Sequence, residues 1–160
     1  MNNKNRQSIR LQHYDYSQCG LYFITICTHK KLCLFGEINK DKMFANNAGF
    51  MIASCWMDLS KRFNNIQLHE YLVMPNHFHG IIEIFNQDKG LGAMIGAFKS
   101  ITTNKYIKAV KEHKWLAFDY KLWQRNYYEH IIRNEQSHQT ISEYIKYNPA
   151  KWSDDKYYNP

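Results

Sequence analysis

Apolar positions change period several times along the chain. GLYFITICT, from Gly20 to Thr28, is β-branched and aromatic and predicts a buried strand. LFGEINKDKMF predicts a short hairpin turning around Asn39 to Asp41. From Asn47 to Phe63 the period becomes helical, with Ile52, Trp56, Leu59 and Phe63 on one side and Asn46 or Asn47 available as N-cap. IQLHEYLV and HFHGIIEIF predict two strands joined by a Met74-Pro75-Asn76 turn, antiparallel because the connection is so short. A long helix is expected over Leu91 to His113, with Met94, Ile95, Phe98 and Ile101 on its apolar side. NYYEHIIRN predicts a last strand, and a final helix should start at the Asn134 cap and stop before Pro149.

The order is therefore β-α-β-β-α-β plus one helix. It predicts an α+β fold of the ferredoxin-like or RRM-like split βαβ type, one antiparallel sheet with two helices on one face. The other face is expected to stay free for function. No repeat, low-complexity tract or Pro/Gly-rich linker interrupts the 160 residues, so a single domain over 1–160 is expected, with its core at about 10–152.

Charge adds a partner class. The formal net charge is +7, and between Lys99 and Arg133 eight Lys/Arg face three acids. Such a cationic cluster fits a polyanion, although a merely solvated surface would read the same way. With 44% hydrophobic and 16% aromatic residues, the charge belongs to a folded surface and not to a disordered chain. No apolar run approaches a membrane span, and MNNKNRQSIR lacks a signal-peptide core, so no membrane partner and a cytoplasmic location are expected. Cys19, Cys27, Cys33 and Cys55 form no Cys-x-x-Cys pair and read as reduced thiols acting as small apolar residues.

The chemistry begins at VMPNHFHGIIEI. Alternation points His77, His79, Ile81, Glu83 and Phe85 one way, and Phe78, Gly80, Ile82 and Ile84 the other. The second set suits the helices, so the two imidazoles share the open face with Cβ atoms roughly 7 Å apart. They can converge on one ion, but two ligands do not close a site. In ISEYIKYNP, Tyr144 and Asn148 lie four apart on one helical face, which offers a phenol oxygen and a neutral oxygen ligand. Tyr147 is a rival that spacing alone does not exclude.

These segments carry a likeness. VMPNHFHGIIEI resembles the histidine–hydrophobic–histidine signature of the HUH single-strand endonucleases. LWQRNYYEHIIRNE followed by YIKYNPAKW is similar to the single-tyrosine transposases, in particular the group associated with repetitive extragenic palindromes. The similarity extends through RLQHYDYSQCGLYFITICT, LFGEI and IGAFKSITTNKY, covering Arg10 to Trp152. It implies that His77 and His79 are metal ligands, that Tyr144 is the nucleophile on a helix at the active-site side, and that Asn148 is the third ligand where some relatives have glutamine.

The resemblance also implies a bacterial, nucleoid-associated transposase, a monomer or homodimer. It would nick and rejoin single-stranded or hairpin DNA of palindromic repeats through a 5′-phosphotyrosine. Mg²⁺ or Mn²⁺ suits two imidazoles and an amide oxygen, with zinc as the weaker alternative. For DNA contacts the expectation is Lys99, Lys105, Lys108 and Arg125 on phosphates and Trp123, Tyr127 and Tyr128 as exposed stacking aromatics. The tail after Trp152 is short where some relatives have longer extensions, so contacts made by such extensions are not expected here. Two other readings stay open: a non-catalytic RRM-like nucleic-acid binder, and an HUH nuclease of the replication-initiator or relaxase type.

Overall fold

The computed structural model describes residues 14–16 and 18–160. Most of the polar N-terminal arm, and Arg10 where the family likeness starts, lie outside them. Strand β1 (Gly20–Cys27) leads through a 3₁₀ turn to a small hairpin, β2 (Gly36–Asn39) and β3 (Lys42–Ala45). Its two turn residues, Lys40 and Asp41, both have positive φ, the conformation that two-residue hairpin loops require. Helix α1 (Asn47–Met57) is capped by Asn46, whose side chain accepts the Gly49 amide at 3.0 Å. A single helix was expected to run to Phe63. Instead ψ opens to −11° at Asp58 and the chain restarts as the short α2 (Leu59–Arg62), with Lys61 N bonded back to Asp58 O.

Strands β4 (Ile66–Met74) and β5 (His77–Ile84) follow, then α3 (Leu91–His113), β6 (Tyr128–Ile132) and α4 (Glu135–Tyr147). The main sheet has the order β4-β5-β1-β6 with every neighbouring pair antiparallel, the split βαβ arrangement expected. Asn134 caps α4 by accepting Ser137 N at 2.8 Å. Pro149 cannot extend the α-helix, and the chain tightens into a 3₁₀ segment over Asn148–Asp154.

Alternation along β5 divides the interior as its sequence predicts. Phe78, Ile82 and Ile84 join Tyr22, Ile24 and Ile26 of β1 under α1 and α3, around Trp56, Met94 and Phe98. Ile81 faces the other way and meets Phe23, Ile132 and Ile145 of α4 in a second, smaller core, with Ile141 beside it. The face expected to be free is therefore partly roofed by α4. Alone, a 13-residue helix is marginal in water, so burial of Ile145, worth about 1.5–3 kcal/mol, makes its helicity depend on the sheet.

Gly80 sits between the two cores because the indole of Trp56 lies over it. A Cβ there would meet Trp56 Cζ2 at 2.7 Å and Phe78 Cε1 at 2.9 Å. The indole is fully buried against Phe78 and Phe98 and has no room to retreat. Gly80→Ala is expected to destabilise the fold by about 1–3 kcal/mol, read as a lower urea midpoint.

Candidate functional site

The site is built where β5 starts. His77 and His79 point to the α4 side and are 0% and 1% exposed, so they are buried and do not stand on an open surface. Their Nε2 atoms are 3.0 Å apart. Each ring is held from behind: His77 Nδ1 lies 2.8 Å from Asn76 Oδ1, and His79 Nδ1 lies 2.8 Å from Thr25 Oγ1 on the paired strand. The Asn76 amide is oriented by its own NH₂, which donates to Lys31 O at 3.2 Å and Tyr157 O at 2.7 Å. Its oxygen can only accept, so His77 carries its proton on Nδ1 and presents a bare Nε2. Burial pushes both imidazoles below their ordinary range, and for His79 the neighbouring His77 adds to the effect. Both are neutral at physiological pH, the form in which a histidine can bind a cation.

Helix α4 brings Tyr144 to the pair. Its ring lies edge-on to His79 with centroids 5.4 Å apart and edge-on to Phe23 at 6.1 Å, while 41% of the residue stays exposed. Burial raises its pKa, the Asp155 carboxylate raises it further, and the Asn148 side chain opposes them. Tyr147, the rival from spacing, is more exposed and carries Lys146 over its ring at 5.4 Å. Asn148 is buried one turn beyond Tyr144, and its amide influences the titration of His77, His79 and Tyr144. Its Oδ1 has no hydrogen-bond partner among the described residues, an expensive state for a buried carbonyl oxygen.

The tail after Trp152, short as it is, closes the site. The Asp155 side chain is buried with Oδ2 3.9 Å from His77 Nε2, and that oxygen also lacks a hydrogen-bond partner among the described residues. His77, His79 and Asp155 each offer a ligand atom within 4.8 Å of the others. Tyr157 lies over His77 with ring centroids 4.7 Å apart, and Lys156 lies above the rings of both Tyr157 and Tyr128. Neither of the two acids in SDDKYYNP has a period or motif to mark it, so only its contacts reveal Asp155.

The DNA-contact expectations divide. Trp123 is a correction: it is buried against Phe35 and Phe98, with its indole N–H donated to Thr102 Oγ1 at 2.9 Å, and no stacking surface is left. Lys99 is also committed, donating to the carbonyls of Gln124 and Arg125 at 2.7 and 2.9 Å. Lys105 and Lys108 are exposed, but on α3, across the sheet from the histidines. Tyr127 is half-buried against the larger core, and Arg125 is exposed on the loop before β6. Tyr128 is on the histidine side, next to Phe23, and lines an open groove of about 480 Å³ with Asn134, Ser137 and Thr140. Cys27 and Cys55 are buried, Cys19 and Cys33 exposed, and all four are free thiols.

An antiparallel split βαβ sheet with a buried histidine pair under a tyrosine-bearing helix is the class that fold and site define. The family described as "Transposase IS200 like" matches residues 15–148, and the chain belongs to it. An uncharacterised protein of Haemophilus influenzae is 40% identical over 96% of this chain and 93% of its own length. A second protein of that organism, named as a candidate REP-associated tyrosine transposase, is 22% identical over 86% of this chain and 74% of its own. Among solved structures, a REP-associated tyrosine transposase bound to a REP hairpin matches with a TM-score of 0.64 and 19% identity, over 91% of this chain and 74% of that one. A candidate transposase from Deinococcus radiodurans matches at 0.54 with 17% identity, over 86% and 95%. At such identities the two structures bear on the fold alone. No helix among the described residues is long and apolar enough to cross a membrane.

The Asn76 side chain joins His77 to Tyr157 of the tail by one hydrogen bond to each, and a third goes to Lys31 O. Asn76→Ala should cost about 1–3 kcal/mol and release the tail, seen as faster trypsin cleavage at Lys151 and Lys156 under native conditions.

Proposed function

We propose that this transposase is a metal-dependent single-stranded DNA endonuclease and strand transferase that acts on DNA hairpins through a 5′-phosphotyrosine. The observation that carries the reading is the meeting of a half-exposed Tyr144 with two neutral imidazoles whose Nε2 atoms are 3.0 Å apart, beside the partnerless Oδ1 of Asn148. Two nitrogen donors with one or two oxygens suit a divalent cation, and the orphaned oxygens fit one better than they fit an apolar core. His77, His79 and Asn148 would hold it, with Asp155 as a further donor. Mg²⁺ or Mn²⁺, when bound, supplies positive charge that polarises the scissile phosphate and favours the phenolate form of the tyrosine.

Tyr144 Oη attacks the phosphorus, giving up its proton as the new P–O bond forms. The bond from phosphorus to the 3′ oxygen breaks, leaving a free 3′-OH and a 5′-phosphotyrosine. The link conserves one phosphodiester for another, so the 3′-OH of a second strand can reverse the step without a nucleotide cofactor. The nucleophile's helix is clamped by Ile141 and Ile145 against β5 and β6, which limits the positions its phenol can take. The REP hairpin held by the structural neighbour makes hairpin DNA the substrate class proposed for this chain. An RRM-like binder would need an open sheet face for stacking, and α4 roofs the part of that face over Phe23, Ile81 and Ile132.

Lys156 and Tyr128 are the cation and aromatic proposed to meet the DNA at the site, in place of Trp123 and the lysines of α3. Incubation with a labelled single-stranded hairpin and Mn²⁺ should give a covalent adduct on a denaturing gel. Tyr144→Phe should remove the adduct while changing hairpin affinity by less than about threefold. Tyr147→Phe should keep it, and loss of the adduct in Tyr147→Phe alone would refute Tyr144 as nucleophile. Lys156→Ala should lower the salt dependence of hairpin binding by about one unit of slope, whereas Lys105→Ala should leave it unchanged.

A further inference from the structure

Edge strand β4 is irregular away from the histidine pair. Its register with β5 runs Leu68 opposite Ile82 and then Tyr71 opposite Gly80, so His69 and Glu70 together stand against the single Ile81. In an even strand these neighbours would point to opposite faces, but a bulge can turn both to one side. Helix α4 lies along that side and contributes His138. His69, Glu70 and His138 each present a ligand atom within 4.8 Å of the other two. The two rings are edge-to-face with centroids 5.3 Å apart.

Two ion pairs account for this cluster only in part. His69 Nε2 is well paired with Glu83 Oε2 at 2.8 Å. His138 Nε2 lies 3.6 Å from Glu70 Oε2, beyond a hydrogen bond, and this buried nitrogen has no hydrogen-bond partner among the described residues. A buried imidazole nitrogen and a carboxylate oxygen at this separation are spaced as two ligands of one ion are. Glu83 supplies the outer carboxylate that commonly fixes the ring plane and tautomer of a ligand histidine. Beside the cluster a groove lined by His69, Glu70, Gln139 and Ser142 gives access from solvent.

We propose that His69, Glu70 and His138 form a second divalent-cation site, of the zinc class, tying edge strand β4 to helix α4. Two imidazoles and a carboxylate with an open position match the ligand preference of such ions more closely than that of Mg²⁺. The ion would brace the N-terminal half of the helix whose other end carries Tyr144. The inference stands apart from the reading of the His77 site, because none of its three ligands belongs to that site.

The test uses the full chain stripped with chelator and titrated with ZnCl₂ by calorimetry, and with CoCl₂ followed by visible absorption. His138→Gln and Glu70→Gln, at partly exposed positions, are each expected to bind one zinc equivalent fewer than wild type, whereas His79→Gln keeps that equivalent. Cobalt should give tetrahedral-type absorption in wild type and in His79→Gln but less in His138→Gln. Saturating zinc should raise the Tm of His79→Gln by about 5 °C or more, and that of His79→Gln/His138→Gln by much less. Equal zinc stoichiometry in wild type and His138→Gln, or loss of all zinc binding in His79→Gln with its circular dichroism intact, overturns the proposal. A missing DNA adduct would refute the nuclease reading and leave this result untouched.

Discussion

Docking of α4 on the odd-numbered face of β5 is the contact on which the rest depends. Ile141 and Ile145 of the helix meet Phe23, Ile81 and Ile132 of three adjacent strands. That apolar seam does two things at once. It carries Tyr144 and Asn148 to the histidine pair, and with the tail it buries the two imidazoles, which favours their neutral form. A helix this short gains little from its own hydrogen bonds, so the same hydrophobic area that stabilises the fold also sets where the tyrosine can be.

The sheet separates two kinds of work. On its even face Trp56, Phe78 and Phe98 interlock with α1 and α3 in a dense aromatic core, and the Gly80 position is left without a side chain because the indole fills it. Polar side chains cluster on the odd face, where each needs a partner. Asn76 and Thr25 meet that need for the outer nitrogens of the histidines. Asn148 Oδ1 and Asp155 Oδ2 have none among the described residues, and their position beside two buried imidazoles is the strongest physical sign of a cation site. His138 Nε2 is in the same situation at the bulge of β4.

Charge does not follow the site as closely as sequence clustering suggests. Lys105 and Lys108 lie on a helix whose buried side packs on the even face, so they look away from Tyr144. Lys99 is spent on loop carbonyls. The cation that does stand near the histidines, Lys156, comes from the tail and stacks on Tyr128 and Tyr157. A DNA strand crossing the site would meet aromatic rings capped by one ammonium group.

Local pattern was enough for the order of elements, the bounds of α3, the Asn134 cap and the inward and outward faces of β5, because period and capping depend on near neighbours in the chain. It placed His77 with His79, and Tyr144 with Asn148, on one face of their elements, but it left Tyr147 as a rival, and the preference for Tyr144 came from the family resemblance. It did not reveal that Trp123 is core, since an indole in a loop gives no sign of whether Thr102 will be there to accept its N–H. Nor could it reveal Asp155 or the grouping of His69, Glu70 and His138, which are distant in sequence and marked by no period. Those placements come from a tail folding back on β5 and a bulge turning two side chains to one side. Both are long-range outcomes that only the tertiary structure decides.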